Sequence, residues 1–207
     1  RNVMPKTQNH NEYVFAIQDK LSSITRSVVS QSQSFDELIE LASNKEKMIQ
    51  SIPSIIPIAD KNLTRLSSGY GYRIDPVYHV RKMHAGIDFT SPTGSPIHCS
   101  GEGVIEKKGY STGGYGNEIV VNHGFGYKSH YAHLSKFNDV RVGQKVKRGE
   151  IIGFVGSTGK STAPHLHYEI IKNGNKIDPI NFFFNDITPE QYQLMIEKSL
   201  NSGSSLD

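Results

Sequence analysis

Three short stretches carry residue types that could assemble a metal centre: His84-Ala-Gly-Ile-Asp88, Tyr131-Ala-His133 and His165-Leu-His167. Imidazole nitrogen and carboxylate oxygen suit Zn²⁺, and a catalytic zinc takes three protein ligands and keeps a position for water. The segment Pro164-His-Leu-His-Tyr-Glu-Ile-Ile171 reads as a strand. Successive strand side chains face opposite ways, so His165 and His167 share one face while Leu166 and Tyr168 take the other. Glu169 continues the histidine face, where its carboxylate could hold a ring N–H and fix a ligand's tautomer. The same alternation puts His133 and Tyr131 on one face and His130 on the opposite one. His84 and Asp88 flank Gly86, with Ile87 and Thr90 following, which reads as a loop entering a strand and brings both side chains to one side. On spacing alone, the division of the four histidines between metal binding and proton handling stays open. His10, His79, His98, His123 and His130 have no matching partner and are left out of the site.

The elements that must position these residues differ along the chain. Nearly all the glycines fall between residues 63 and 184, separating short runs such as Gly103-Val-Ile-Glu-Lys-Lys and Asn117-Glu-Ile-Val-Val-Asn. Many short strands with glycine turns predict a mainly β domain, an antiparallel barrel or sandwich, over residues 61–186. Residues 93–105 and 142–152 echo each other in glycines and branched residues, as two similar hairpins would. The Gly/Ser-rich stretches 110–116 and 156–163 are expected to rim the cleft, where small residues let a peptide backbone approach. Residues 1–60 read instead as a helical stalk or regulatory segment with a linker. Val14, Ile17, Leu21, Ile24 and Val28 are spaced as a helix–helix seam. A break is expected before a capping box at Ser34-Phe-Asp-Glu37, and a second helix with Phe35, Leu38, Ile39, Ala42 and Ile49 on one face then runs to Pro53. Residues 187–207 form a C-terminal helix, capped by Thr188-Pro-Glu-Gln191, and a frayed tail.

Composition narrows the classes. At 207 residues, 36% hydrophobic and 21% charged, the chain can bury a full core. A net charge of +3 is too weak to argue for nucleic acid, which is not expected as a partner. The single cysteine, Cys99, excludes an intrachain disulfide and reads as a buried thiol. No apolar run reaches the length of a membrane span. The first residue is Arg, which leaves room for a signal or membrane anchor upstream.

His84-x-x-x-Asp88, Tyr131-Ala-His133-Leu and Ser-Thr-Gly-Lys-Ser-Thr-Ala-Pro-His165-Leu-His167-Tyr-Glu together resemble the lysostaphin- and LytM-like zinc metallopeptidases that cut peptidoglycan cross-bridges. The resemblance runs from about Ser67 to Phe184. It implies a lysostaphin-like β fold, one Zn²⁺ per chain held by His84, Asp88 and His167, and catalytic roles for His133 and His165. No HExxH helix supplies a glutamate base, so a histidine takes the proton of the zinc-activated water and returns it to the leaving amine. His133 is assigned that role, with His165 orienting the water or stabilising the oxyanion, and the two are interchangeable in these assignments. Tyr78 is a weaker oxyanion candidate, and Asn62 a donor through which the preceding segment could occlude the cleft. Gly71-Tyr-Arg-Ile-Asp-Pro-Val-Tyr-His79 and the C-terminal Asn-Asp-Ile-Thr-Pro-Glu further resemble cell-envelope members from Gram-negative bacteria. This implies peptidoglycan stem peptides as substrate, the D-alanyl–diaminopimelate cross-link as the bond cut, and a periplasmic location with an inner-membrane anchor. A protein partner is expected through the N-terminal helices. The competing expectation is a non-catalytic relative that binds and activates another wall hydrolase, whose mark would be a lost ligand.

Overall fold

The computed structural model describes residues 7–59, 66–74, 80–185 and 187–201. The chain divides into two compact units, Arg1–Lys47 and Met48–Asp207. Helix α1 (Thr7–Ser51) is continuous for 45 residues, and the break expected before residue 34 is absent. Ser34 Oγ donates to the Ser30 carbonyl one turn back rather than capping a new helix. The apolar spacing explains this continuity. Phe35, Leu38, Ala42 and Ile49 fall in phase with Val14, Ile17, Leu21, Ile24 and Val28, so the 3–4 repeat runs through the stretch read as a break. Ile17, Leu21, Ile24, Phe35 and Leu38 are all exposed. Among the described residues, no helix is long and apolar enough to cross a membrane.

The second unit is mainly β. Strands β1 (Leu66–Ser68), β2 (Gly71–Ile74), β3 (Arg81–His84) and β4 (Ile87–Thr90) are followed by β5 (Pro96–His98), β6 (Gly103–Ser111), β7 (Gly116–Gly124) and β8 (Tyr127–Ala132). The chain continues through β9 (Lys136–Phe137), β10 (Lys145–Val146), β11 (Ile151–Phe154), β12 (His165–Lys172) and β13 (Asn175–Ile177). The main antiparallel sheet has the order β1-β4-β12-β8-β7-β6-β10, with β13 beside β12. A smaller sheet has the order β5-β11-β9, and β2 and β3 form a separate hairpin. The echo in the sequence is visible in the pairing: β5 and β6 of the first segment pair with β11 and β10 of the second.

Alternation along β12 builds the core. Leu166, Tyr168 and Ile170 are buried with Ile87, Phe89, Ile119, Val121, Tyr131 and Phe183. Two tyrosines can lie in this core because their hydroxyls find partners. Tyr168 donates to Ser100 Oγ at 2.7 Å, and the Ser100 N–H donates to the Tyr131 oxygen at 2.8 Å. Cys99 is a free buried thiol, as expected, pushed up to about 11 by burial. A short 3-10 turn, Pro179–Asn185, leads to helix α2 (Pro189–Asn201). Its capping box forms: the Thr188 N–H donates to Gln191 Oε1 at 2.9 Å and the Gln191 N–H to Thr188 Oγ1 at 3.3 Å. The expected frayed tail beyond it lies outside the described residues.

Candidate metal centre

Strand register brings the three expected ligands together. On neighbouring strands His167 of β12 stands directly opposite Asp88 of β4. His84 ends β3, one tight connection before β4, so the His84–Asp88 pair joins two strands rather than lying along one. Gly86 makes the approach possible. A Cβ there would fall 2.5 Å from the Tyr168 carbonyl oxygen and 3.0 Å from His167 Cε1. The result is a tight triangle: His84 Nε2 to Asp88 Oδ1 is 3.1 Å, His84 Nε2 to His167 Nδ1 is 3.0 Å, and His167 Nδ1 to Asp88 Oδ1 is 2.9 Å. All three residues are buried.

The outer ring nitrogens decide what this triangle can hold. His84 Nδ1 lies 2.6 Å from the Gly69 carbonyl oxygen, which can only accept, so that nitrogen carries its hydrogen. His167 Nε2 lies 3.1 Å from Glu169 Oε1, another acceptor. The inner nitrogens of the neutral rings therefore present lone pairs toward a carboxylate oxygen. Three electron-rich atoms so close repel one another unless a cation lies among them. Donors bound at about 2.0–2.2 Å to one tetrahedral ion sit about 3.3 Å apart, close to the separations observed. A His-Asp-His set with fixed tautomers fits Zn²⁺.

His133 and His165, both buried, reach the metal centre by different routes. His165 Nδ1 donates to the Ala163 carbonyl at 2.8 Å, and its Nε2 lies 3.9 Å from Asp88 Oδ1. His133 Nδ1 donates to the Thr158 carbonyl at 2.7 Å, and its ring centroid is 4.6 Å from that of His165. Here strand alternation misleads. β8 ends at Ala132, and His133 adopts a left-handed backbone with φ 62°. For a residue other than glycine this costs of order 1–3 kcal/mol and needs surroundings that enforce it. The turn lifts His133 out of alternation, so it does not share a face with Tyr131, whose ring lies in the core.

The correction extends to His130. It lies on the same side as the metal centre, behind Glu169. Its Nδ1 is 3.3 Å from Glu169 Oε2 and its Nε2 is 2.6 Å from Glu118 Oε2, and Lys107 Nζ reaches the other oxygen of Glu118 at 2.5 Å. Glu169 Oε1 also accepts from Tyr115 at 2.9 Å and Lys176 at 2.8 Å. Burial raises Glu169, but hydrogen bonds from His130 and His167 prevail and hold it far below the usual range. The expected supporting role of Glu169 is thus present, backed by Tyr115, Lys176 and His130, none of which the spacing identified. Strand register across β12 and β8, which sets Glu169 directly opposite His130, brings the two together, and no local spacing signals it.

The two glycine-rich loops do line the cleft, but their small residues first serve each other. The Lys160 N–H donates to the Gly114 carbonyl at 2.7 Å, and a Cβ on Gly116 would lie 2.4 Å from the Thr158 carbonyl carbon. Two of the excluded histidines are committed elsewhere in this unit: His98 bonds the Gly149 carbonyl and His123 sits between the Glu102 carbonyl and Ser129 Oγ. Asn62, Tyr78 and His79 lie outside the described residues.

Comparison with known proteins agrees with this geometry. Residues 82–179 match peptidase family M23. The DD-carboxypeptidase/endopeptidase Mpg of Neisseria meningitidis is 48% identical over 118 residues, covering 57% of this chain and 27% of that protein. The chain therefore spans only about a quarter of that curated relative. The solved catalytic domain of lysostaphin from Staphylococcus simulans is 41% identical, with a TM-score of 0.50, covering 56% of this chain and 91% of that one. A zinc-containing peptidase from Vibrio cholerae is 36% identical with a TM-score of 0.54, covering 59% and 37% of the two chains. With its β fold and its buried His-Asp-His triangle, the chain belongs to peptidase family M23.

Proposed function

We propose that this chain is a zinc metalloendopeptidase that hydrolyses peptide cross-links of peptidoglycan, the D-alanyl–diaminopimelate amide being the bond cut. The observation that carries the reading is the convergence of His84, Asp88 and His167 beside two further histidines whose outer nitrogens are committed to backbone carbonyls. Zinc held by these three residues supplies a Lewis acid for the carbonyl and lowers the pKa of water. The chain's own residues do the rest. With Nδ1 tied to Thr158, His133 offers Nε2 as the base that takes the water proton and returns it to the leaving amine. His165, tied to Ala163, offers Nε2 as a second acceptor, which suits holding the attacking water in line.

The names of relatives that act on peptidoglycan, such as the peptidoglycan DD-endopeptidase ShyC of Vibrio cholerae, support this substrate. The same reading puts the protein in the periplasm, held by an anchor upstream of residue 1, with the exposed apolar row of α1 recruiting a protein partner. A non-catalytic regulator is disfavoured because all five positions hold competent residues. The test is digestion of purified sacculi by the zinc-loaded protein, with the cut bond identified by mass spectrometry. Cross-linked muropeptides should fall to monomers, chelation should abolish this, and His133→Ala should abolish it while retaining zinc. Zinc-loaded protein that leaves cross-linked sacculi intact would overturn the proposal in favour of the regulator.

A further inference from the structure

We propose that α1 pairs with the α1 of a second copy of this chain, in parallel and in register, as a two-stranded coiled coil. This names the partner that the reading of α1 above leaves open, and it stands apart from the chemistry of the metal centre. From Val14 to Lys45, ten successive positions alternate three and four residues apart. Val14, Leu21, Val28, Phe35 and Ala42 take the a positions of a heptad. Ile17, Ile24, Gln31, Leu38 and Lys45 take the d positions. The row is exposed: Ile17 keeps 65% of its surface, Leu21 62% and Phe35 64%.

The period of the row decides what can cover it. On a straight helix of 3.6 residues per turn, a strict seven-residue repeat drifts by about 20° per heptad. A flat surface would lose such a row within a few turns, whereas a helix supercoiled around α1 follows it throughout. At about 1.5 Å per residue the row is about 47 Å long. Among the described residues the other α-helix, α2, has 13 residues and spans only about 20 Å. The cover is therefore another long heptad helix, and α1 is itself one.

Self-pairing also suits the irregular positions. Valine at a favours two strands. In a parallel pair Gln31 meets its own counterpart, amide to amide, and Lys45 lies beside Glu46 of the second copy. An antiparallel pair centred on the row would set Gln31 against Val28 and Lys45 against Val14, burying polar groups among apolar ones. Along the flanking positions of the parallel pair Lys20 faces Thr25 and Leu41 faces Glu46, so no like charges meet. A fully buried aliphatic side chain removes about 60–120 Å² from water. Covering the apolar row on both helices thus buries on the order of 1,000 Å², the scale of a specific interface.

The test is sedimentation of the full chain at micromolar concentration, which should give the mass of two chains. Leu21→Glu with Leu38→Glu puts charges into the row and should reduce this to one. Phe15→Glu with Val29→Glu changes exposed apolar residues that lie off the row, and should leave the dimer intact. Val14→Cys should cross-link to its counterpart on mild oxidation, whereas an antiparallel pair holds the two positions about 47 Å apart. A monomeric parent would overturn the second copy as the occupant and leave α1 to a different protein. A dimer that survives the row substitutions, one lost with the off-row pair, or one that fails to cross-link would overturn the paired row as well. Digestion of sacculi reads catalysis alone, so its outcome and this one are independent.

Discussion

Replacing Glu169 by Gln should weaken zinc binding while leaving the fold intact. Glu169 is buried, and one of its oxygens accepts from His167 at 3.1 Å, Tyr115 at 2.9 Å and Lys176 at 2.8 Å, while the other faces His130 at 3.3 Å. Glutamine preserves volume and can keep an oxygen toward His167, but it removes the negative charge that makes the imidazole a stronger donor. Charge-assisted hydrogen bonds are roughly twice as strong as neutral ones, so the His167 contact alone should lose about 1–1.5 kcal/mol, or about tenfold in affinity. The amide nitrogen would also face His130 Nδ1, adding to the loss. A total of about 10–100-fold is expected, the range seen when such supporting groups are removed from metal sites. Lys176 is partly exposed and can turn to water, and His130 keeps Glu118, so folding should survive. The assay is zinc competition against a chromophoric chelator, with a thermal melt of each metal-free protein. Tyr115→Phe removes one neutral bond to the same oxygen and should cost no more than about fivefold. A Glu169→Gln protein that melts normally and binds zinc within about twofold of the parent would refute the argument that this carboxylate tunes its ligand.

Three other outcomes can be checked directly. Gly86→Ala would drive a Cβ to 2.5 Å from the Tyr168 carbonyl oxygen. A melt should show about 1–3 kcal/mol of lost stability, and zinc competition should show weaker binding because His167 is displaced. His123 is buried, which lowers it from 6.5 to about 4, so its neutral form favours the fold. Its contribution is full above pH 6.5 and is lost as pH falls toward 4, on the order of 3 kcal/mol in total. Melts of the metal-free protein across that window should show the loss, and His123→Asn should flatten it. Gly159→Ala forces a side chain against the Gly114 carbonyl at a positive φ, so it should separate the two cleft loops. Hydrogen exchange should rise at the Lys160 amide, with protection in β12 retained.

What the sequence disclosed follows from which features are local. The period of two on β12 put His165, His167 and Glu169 on one face and Leu166 and Tyr168 on the other, and the structure keeps that division because the second set is the core. Gly86 hinted at a loop, yet its function is set by a strand distant in sequence, against which only a residue without a Cβ can close. His133 is the instructive failure. Extending the period of two past Ala132 paired it with Tyr131 and sent His130 to the wrong side. The alternation breaks at one residue with φ 62°, in a position no glycine marks. Its conformation is imposed from outside: the His133 N–H donates to the Tyr115 carbonyl at 2.9 Å, its Nδ1 to Thr158, and the Leu134 N–H to the Asn117 carbonyl at 3.0 Å. These partners come from β7, the turn before it and a loop some 25 residues later, so no window around His133 contains the cause. A backbone strained at the residue assigned as the base, and held by three such contacts, ties the base to the two loops that form the cleft wall. Substitutions in those loops should therefore reach the chemistry through His133 before they reach the metal.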